Sequence, residues 1–220
     1  MIYAVGDIHG CLAPLQALVA EIHPTPADEV VFLGDYVDRG PQSKEVVEYL
    51  LAFFSARPGP RVRFLLGNHE QMLLDFLAGK DRFLFLYNGG SATIESYGGI
   101  AGIPLSHIQF FKQLLPYYET AEYLFVHAGI RPGIPLAEQD PQDLLWIRHE
   151  FFGYEGRFPK TIVFGHTPME EVFMAEDRIG IDTGCVYGGK LTGLLLPSRE
   201  VVQVENRTER PPHLRRGGPR

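Results

Sequence analysis

Six side chains of metal-binding type follow short apolar runs of the sequence. The runs are rich in β-branched, Leu and Phe residues, which is typical of buried strands. The polar residues that follow them are Asp7, His9, Asp35, Asn68, His127 and His166. In a parallel α/β sheet the loops at the carboxyl ends of the strands converge. We therefore expect two carboxylates, three imidazoles and one amide oxygen to share one site.

This donor set predicts a site for two metal ions. Mixed oxygen and nitrogen ligation suits Mn, Fe, Zn or Co better than Mg or Ca. So many ligands favour two ions about 3.5–4 Å apart, bridged by a carboxylate and a hydroxide. Asp35 is the candidate bridge because it lies mid-order between the two groups. Taken singly, Asp7 with His9 could form a turn, and His127 and His166 could be core histidines. The joint pattern is what predicts metal binding.

The elements that must position these residues alternate at first between strand and helix. Predicted strands cover 2–6, 29–34, 61–67, 123–126 and 161–165, and predicted helices cover 11–22, 43–54, 70–78 and about 106–115. Ser43 and Ser106 are the expected N-caps. The opening third thus implies parallel strands with right-handed crossovers. Residues 79–120, rich in Gly and aromatics, are interpreted as an insertion over the active-site face. After His166, the runs EEVFMA, RIGID, LTGLLL and EVVQVE predict a second, partly antiparallel sheet.

The composition is ordinary for a soluble globular protein of one domain, with 220 residues of which 45% are hydrophobic and 21% charged. No apolar run approaches the roughly 18–20 residues that cross a bilayer. The start of the chain, MIYAVGDIHG, lacks the basic region of a signal peptide. We therefore expect a cytoplasmic enzyme without a membrane partner. Cys11 and Cys185 are too few for a disulfide framework and are expected to be free, packed thiols.

Charge is unevenly distributed along the chain. Residues 206–220 contain five Arg and one Glu, a net charge of +4. Because the whole chain carries −7, residues 1–205 carry −11. An acidic body argues against nucleic acid as the main partner. The Pro- and Gly-containing tail is predicted to be disordered, with an electrostatic contact arm as the alternative. The oligomeric state is left open.

Five motifs of the chain resemble those of the PPP-type metallophosphatases, the phosphoprotein phosphatase superfamily. The motifs are GDIHG (6–10), GDYVDRG (34–40), GNHE (67–70), HAG (127–129) and FGHTP (164–168). The resemblance spans about residues 1–205 and is closest to the short bacterial and phage enzymes. It implies one metallophosphatase domain over 1–205. The implied fold is an α/β metallophosphoesterase β-sandwich, with mixed sheets flanked by helices in four layers, α/β/β/α.

The resemblance also divides the ligands between two metal ions. It implies that Asp7, His9 and Asp35 hold one ion, and that Asp35, Asn68, His127 and His166 hold the other. Mn²⁺ is the expected metal, with Fe, Zn, Co or Ni as alternatives. The ions would lower the pKa of a bridging water from about 15.7 towards about 7, so that hydroxide attacks phosphorus in line. Pro168 stands where many nucleases of the wider calcineurin-like superfamily carry a further His, which favours the phosphatase branch.

Two arginines are expected to clamp the phosphate. Arg39 lies inside GDYVDRG, and Arg148 occupies the place of the family's second arginine. A guanidinium group matches two phosphate oxygens and balances charge in the transition state. The alternative for Arg148 is a surface residue paired with Glu150 or Asp143.

The motifs also imply a general acid. By the resemblance, His69 points at the leaving-group oxygen and donates a proton to it. Asp38 is expected to hold the tautomer of His69 and to raise its pKa. The alternative for Asp38 is a turn residue that caps its own loop.

Three functions fit this set of residues. A phosphomonoesterase acting on phosphoserine, phosphothreonine and also phosphotyrosine in proteins or peptides comes first, with small phosphate esters as further substrates. A symmetrical diadenosine tetraphosphate hydrolase comes second. Those enzymes share the ligands but usually have Ala in place of Asp38 and GNHD in place of the motif that ends in Glu70. A binding module with structural metals comes last, since it would not need His69 and Arg39.

Four further residues are candidates to line the pocket, and aromatic packing is the competing interpretation for the tyrosines. They are Tyr87, Asn88, Tyr97 and Tyr187. Tyr187 lies in IDTGCVYGGKLT, which resembles a loop near the site in the short enzymes. The sequence does not assign a role to any of the four.

Overall fold

Two five-stranded sheets form the centre of the structure, a computed structural model that describes residues 1–56 and 61–207. The strands are β1 (Ile2–Val5), β2 (Glu29–Phe32), β3 (Val62–Phe64), β4 (Tyr117–Glu119), β5 (Tyr123–Val126), β6 (Thr161–Phe164), β7 (Phe173–Met174), β8 (Arg178–Gly180), β9 (Lys190–Leu196) and β10 (Glu200–Glu205). The helices are α1 (Leu12–Ile22), α2 (Ser43–Ala56), α3 (Asn68–Leu77), α4 (Arg82–Tyr87), α5 (Gly90–Ser96), α6 (Leu105–Lys112), α7 (Pro141–Trp146) and α8 (His149–Phe152). Short 3₁₀ turns occupy Ile100–Gly102, Leu136–Glu138 and Cys185–Tyr187.

The first sheet has the strand order β10-β9-β1-β2-β3, and the second has the order β4-β5-β6-β8-β7. β1, β2 and β3 are parallel, as predicted, whereas β9 runs antiparallel to β1. The prediction that all four late strands form the second sheet is therefore wrong. LTGLLL and EVVQVE extend the first sheet, and only β7 and β8 enter the second. The sequence of an apolar strand does not specify which free sheet edge the strand will pair with. β2 pairs with only one edge of β1, so the other edge is available to β9.

The two sheets pack face to face between layers of helices. In β2, Val30 and Phe32 point into the core beneath the helices of the first sheet, while Val31 points into the core between the sheets. This alternation follows from the two-residue period of a strand. A third core lies on the outer face of the second sheet, where Phe151 of α8 packs with Phe164. The predicted α/β fold, with mixed sheets flanked by helices, is confirmed.

The predicted helices are present, with differences at their beginnings. α1 buries Leu15 and Leu18 and accommodates Pro14 in its first turn. α3 begins at Asn68, two residues before the predicted start, so the GNHE motif lies in its first turn. Neither serine acts as the predicted N-cap. Ser43 is the first residue of α2, and α6 begins at Leu105 after a Pro104 cap that makes no side-chain hydrogen bond.

Residues 79–120 contain more regular structure than the sequence predicted. They include α4, α5 and α6, and also β4, which pairs antiparallel with β5 at the edge of the second sheet. α4 contacts α3, and α5 contacts α2. Helices of six or seven residues are not stable alone, so tertiary packing decides their position. The interpretation of this segment as an insertion, and the domain limit at residue 205, stay predictions.

Asn206 begins the predicted basic tail and is tied to the body of the protein. Its Nδ2 donates to the carbonyl oxygen of Cys185 at 2.9 Å. Residues 208–220, and with them most of the predicted disordered tail, lie outside the described residues. Cys11 and Cys185 are both buried and free, as predicted. Among the residues that the structure describes, no helix is long and apolar enough to cross a membrane.

Candidate active site

The six predicted ligands lie together at the carboxyl ends of five strands. We call them the strand-end cluster: Asp7 and His9 after β1, Asp35 after β2, Asn68 after β3, His127 after β5 and His166 after β6. Each is at most 6% exposed. The cluster is thus assembled from both sheets, and its charged groups are shielded from bulk water.

The backbone around the cluster is held in a conformation that non-glycine residues rarely adopt. His9, Asp35, Asp38, Arg39 and His166 have φ angles of 46°, 52°, 70°, 67° and 64°. They are five of the seven non-glycine residues with positive φ in the described part of the chain. Such conformations cost about 1–3 kcal/mol each and persist where surrounding contacts determine them. The cost marks this region as selected for function rather than for stability.

Glu70 supplies much of the contact that holds this backbone. Its Oε2 accepts hydrogen bonds from the amides of Asp35 (2.9 Å) and Gly67 (3.1 Å). Its Oε1 accepts from the amides of Tyr36 (2.8 Å) and Val37 (3.2 Å). A side chain on Gly67 would collide with the Asp35 carboxylate, so the two loops can approach only with glycine there. Glu70 therefore positions the turn that carries Asp35.

In one half of the cluster, oxygen and nitrogen atoms of metal-binding type face one another. The amide oxygen of Asn68 lies 2.9 Å from His127 Nε2, 3.2 Å from His166 Nδ1 and 3.3 Å from both carboxylate oxygens of Asp35. His127 Nδ1 donates to the carbonyl oxygen of Leu33 at 2.9 Å, which leaves the Nε2 lone pair directed into the group. Burial lowers the pKa of His127 to about 4 and keeps the ring neutral. A cation would satisfy the lone pairs of His127 Nε2, of the Asn68 oxygen and of the Asp35 carboxylate at once, so these donors fit a metal ion.

The other half shares the Asp35 carboxylate. His9 Nδ1 donates to the carbonyl oxygen of Val37 at 2.8 Å, and its Nε2 lies 3.3 Å from Asp35 Oδ2. Asp35 Oδ1 lies 3.4 Å from His127 Nε2 on the opposite side. The described residues contain two groups that could hold an ion, one with His9, Asp35 and His69 and one with Asp35, His127 and His166. Burial raises the pKa of Asp35 to about 7, although Arg39 opposes the shift.

Asp7 is buried beside these two groups but belongs to neither. Both of its carboxylate oxygens accept from the backbone amide of His166, at 3.2 and 3.0 Å. Burial, Asp182 and Asp35 together raise its pKa well above the ordinary value. Asp182 is a second buried carboxylate that the sequence analysis missed. It follows β8 within RIGID as Asp7 follows β1, so the same strand-end rule identifies it.

His69 and Asp38 form the predicted pair. His69 Nδ1 and Asp38 Oδ2 are 2.7 Å apart, and His69 Nε2 is buried without a hydrogen-bond partner in the described residues. The expectation that Asp38 raises the pKa of His69 is not met. Burial and the charge of Arg39 lower the pKa of His69, and burial raises that of Asp38. The pair is therefore a buried hydrogen bond that fixes the His69 ring and leaves Nε2 free to face a reacting group.

Thr93 completes this pair and was not predicted. Its hydroxyl donates to Asp38 Oδ1 at 2.6 Å, and its Oγ1 accepts from the Asp38 amide at 2.8 Å. Ser43 Oγ lies 3.1 Å from the same amide and 3.1 Å from Thr93 Oγ1. Asp38 is thus not capping its own loop with its side chain. One carboxylate oxygen faces His69 and the other is held by a residue of α5.

Both predicted arginines reach the strand-end cluster. Arg39 Nη1 donates to His9 Nε2 at 2.7 Å. Arg148 lies between α7 and α8, and its Nε donates to His166 Nε2 at 3.2 Å. The guanidinium groups therefore border the two halves of the cluster. Anions that bind to metal ions there would lie between two fixed positive charges.

The alternative partners of Arg148 belong to another arginine. Arg131 Nε donates to Asp143 at 2.6 Å, and Arg131 Nη1 lies 3.5 Å from Glu150. Arg148 is exposed and contacts His166 instead, and its Nη2 donates to the His166 carbonyl oxygen. The interpretation of Arg148 as a surface residue paired with these acids is not supported.

The four aromatic and amide candidates have different surroundings. Tyr97 is buried, and its hydroxyl lies 2.8 Å from His107 Nδ1, so it serves packing. Tyr187 lies beside the site, with the Arg39 guanidinium carbon 5.5 Å from its ring centroid. Tyr87 and Asn88 are at the end of α4, where Tyr87 is exposed and the Asn88 amide donates to the Leu84 carbonyl.

Comparison with known proteins was consistent with this geometry. The calcineurin-like phosphoesterase family matches residues 1–202. The chain is 30% identical to the asymmetrical bis(5'-nucleosyl)-tetraphosphatase PrpE of Bacillus subtilis (strain 168) over 234 residues, covering 91% of this chain and 92% of that protein. A crystal structure assigned provisionally as a diadenosine tetraphosphatase has a TM-score of 0.75 and 25% identity, with 94% of each chain covered. A protein serine/threonine phosphatase from Saccharomyces cerevisiae shares the fold, with a TM-score of 0.65 and 18% identity over 96% of this chain and 81% of that one.

Proposed function

Because this chain belongs to the calcineurin-like phosphoesterase family, whose members are metal-dependent hydrolases, we propose that it is a two-metal phosphohydrolase that cleaves dinucleoside tetraphosphates. The observation that carries the two-metal part is the position of Asp35. One of its carboxylate oxygens faces His9 and the other faces His127, so it can contribute to two ion sites at once. This arrangement supports Asp35 as the shared ligand of both sites.

The proposed ligands follow the family resemblance, which adds Asp7 to the half that contains His9 although Asp7 lies beside both groups. Asp7, His9 and Asp35 are assigned to one ion, and Asp35, Asn68, His127 and His166 to the other. Mn²⁺ is the proposed metal, with Fe, Zn, Co or Ni as alternatives, because oxygen and imidazole donors without thiolate suit ions of this class. When bound, two such ions would supply positive charge to the phosphate oxygens and would lower the pKa of water.

The side chains around the ions orient the phosphate and move a proton. Arg39 and Arg148 are assigned to the non-bridging phosphate oxygens, since their guanidinium groups border opposite halves of the cluster. His69 is assigned to the leaving-group oxygen through its unpartnered Nε2. Asp38, held by Thr93, fixes the orientation of the His69 ring through the bond to Nδ1.

The choice of substrate differs from the first expectation of the sequence. That expectation placed a phosphoprotein phosphatase ahead of a dinucleotide hydrolase on the basis of Asp38 and Glu70. Glu70 accepts four backbone hydrogen bonds, a role that is independent of the substrate. Similarity to the tetraphosphatase of Bacillus subtilis over 91% of the chain supports the dinucleotide instead. The name of that relative also supports an asymmetrical cut rather than the symmetrical one expected.

Product analysis tests this proposal. The protein, reconstituted with Mn²⁺, is incubated with diadenosine tetraphosphate, with phosphoserine, phosphothreonine and phosphotyrosine peptides, and with a phosphodiester. We expect the dinucleotide to be hydrolysed with the highest kcat/KM and to give ATP and AMP in equal amounts. Two ADP molecules would show a symmetrical cut. A phosphopeptide turned over faster than the dinucleotide would contradict the proposed substrate while leaving the two-metal site intact.

A serine/threonine phosphatase is the second candidate, and the His69–Asp38 pair favours it. A serine alkoxide is a poor leaving group and needs a proton from a general acid. A nucleotide phosphate is a better leaving group and needs less help. The 2.7 Å hydrogen bond between these side chains therefore suits a phosphomonoester, and the substrate panel decides between the two functions.

A further inference from the structure

Two aromatic side chains stand on the solvent side of α4. Phe83 is 76% exposed and Tyr87 is 78% exposed. Four residues apart on a helix, they lie on one face. Their ring centroids are 5.6 Å apart with an angle of 22° between the planes, which is a stacked pair. Large aromatic side chains usually bury most of their area, so an exposed stacked pair calls for a function.

The helix that carries this pair is anchored rather than loose. Phe85 points the opposite way, is fully buried and stacks on Phe76 of α3 at 4.7 Å. Asp81 caps the helix, with its carboxylate accepting from the Leu84 amide at 3.0 Å. Gly90 packs directly against the Phe85 ring, because a Cβ at position 90 would lie only 2.5 Å from the ring atoms. The exposed rings are consequently presented from a fixed position.

The residues that follow α4 contact Arg39, one of the two arginines assigned to the phosphate. The carbonyl oxygen of Gly89 accepts from the Arg39 amide at 3.1 Å. A Cβ on Gly89 would come within 2.8 Å of Arg39 Cγ, so the two backbones are in close contact. Tyr87 precedes Gly89 by two residues, which limits the separation of their Cα atoms to about 7 Å. The loop that follows Tyr87 thus packs on the backbone of Arg39, whose guanidinium group is assigned to the phosphate.

We propose that Phe83 and Tyr87 form a stacking subsite for a nucleobase of the substrate. This inference rests on the proposed dinucleotide substrate and adds how the nucleoside is recognised. Every base has a π-face, so stacking binds adenine and guanine alike without reading their edges. The position beside Arg39 links the base to its phosphate chain, and a phosphopeptide would not use the pair in this way.

Binding to a matched pair of ligands tests the subsite without relying on turnover. The probes are α,β-methylene-ADP and methylenediphosphonate, which share a non-hydrolysable P–C–P group and differ by the adenosine. Both are titrated calorimetrically into the Mn²⁺-loaded protein. We expect the adenosine compound to bind about tenfold more tightly, and we expect Phe83→Ala or Tyr87→Ala to remove most of this advantage.

Further variants separate ring stacking from other effects. Tyr87→Phe should keep the adenosine advantage, whereas Tyr87→Leu should lose it. Leu105→Ala, an exposed apolar change in the same segment, is the control.

Three results would overturn the subsite. They are no adenosine advantage in the wild-type protein, an advantage that survives both alanine variants, and a change of sedimentation in the variants that marks the pair as a protein contact. Failure of the proposed function looks different. If diadenosine tetraphosphate is not hydrolysed but the adenosine advantage depends on Phe83 and Tyr87, the substrate proposal fails and the nucleobase subsite stands.

Discussion

The strand-end cluster and segment 79–120 lie next to each other, joined by the contacts of Gly89 with Arg39 and of Thr93 with Asp38, but they are built by different rules. In the cluster, each side chain is buried at the end of a strand, and its backbone is held by contacts from other loops. In the segment, short helices pack one face against α2 and α3 and leave Phe83 and Tyr87 in solvent. The cluster has the donors for metal ions and phosphate, and the segment has the rings that could choose among phosphate-containing ligands.

This difference separates chemistry from substrate choice. Changes in the cluster should lower activity towards every substrate by a similar factor, because all substrates need the same ions. Changes on the exposed face of the segment should alter the ratio of activities between dinucleotides and simple phosphate esters. Diadenosine tetraphosphate and p-nitrophenyl phosphate are therefore the two substrates to compare.

The largest effect is expected from Asp35→Asn. The change removes the negative charge shared by the two proposed ion sites, and kcat/KM should fall by about 10³-fold or more on both substrates. Mn²⁺ should also raise the Tm of the wild-type protein but not that of the variant, because only a protein that binds the ions gains stability from them. Asp75→Asn, which changes a half-buried carboxylate of α3 that pairs with Lys80, is the control. A variant that retains wild-type activity would remove Asp35 from the site.

A smaller and more selective loss is expected from His69→Asn. The variant lacks the nitrogen that faces the leaving group, and loss of a general acid costs about 10²-fold on esters with poor leaving groups. The loss should be much smaller on p-nitrophenyl phosphate, whose leaving group needs no proton. Rates measured across a series of alkyl and aryl phosphates give this dependence directly. Equal losses along the series would exclude the acid role, and the exposed His23→Asn serves as control.

Glu70→Asp tests whether this position selects the substrate. The side chain becomes one methylene shorter and can no longer reach the amides of both Gly67 and Tyr36. We expect a loss of roughly tenfold in Mn²⁺ affinity, because Asp35 is then positioned less firmly. The ratio of activities on the two substrates should not change. A shift of that ratio towards the dinucleotide would restore Glu70 as a marker of substrate class. Glu95→Asp, exposed on α5, is the matched control.

The ligands of the cluster could be predicted because their rule is local. A polar residue directly after an apolar strand is visible in the sequence at Asp7, Asp35 and His166, and the strand ends then bring these residues together. The same rule points to Asp182, which follows the end of β8. The overall α/β architecture follows from the strand and helix patterns for a similar reason.

The features that escaped prediction depend on contacts between distant parts of the chain. β9 is an ordinary apolar strand, and only its pairing with β1 places it in the first sheet. α4 and α5 are too short for a clear periodic pattern. Thr93 lies 55 residues from Asp38 in the sequence, and no motif links the two. Spacing alone does not reveal which hydroxyl will meet a buried carboxylate.

The smallest effect is expected from a change at Thr93. This residue lies in segment 79–120 but contacts the His69–Asp38 pair, so it tests the comparison between the segment and the strand-end cluster most directly. Thr93→Val keeps the shape but leaves Asp38 Oδ1 buried without its donor, which costs about 1–3 kcal/mol where the group is desolvated. We expect kcat to fall about fivefold, more on esters with poor leaving groups than on p-nitrophenyl phosphate. The adenosine advantage in binding should be unchanged. Thr93→Ser should restore the rate, and Ser91→Ala, exposed on the same helix, should have no effect. If Thr93→Val instead reduced the adenosine advantage, position in the chain would decide whether a residue affects catalysis or substrate choice.

If Thr93→Val slows only the step that needs the general acid, burial decides it. The inner face of α5 then belongs to the catalytic part of the molecule, together with the strand-end cluster.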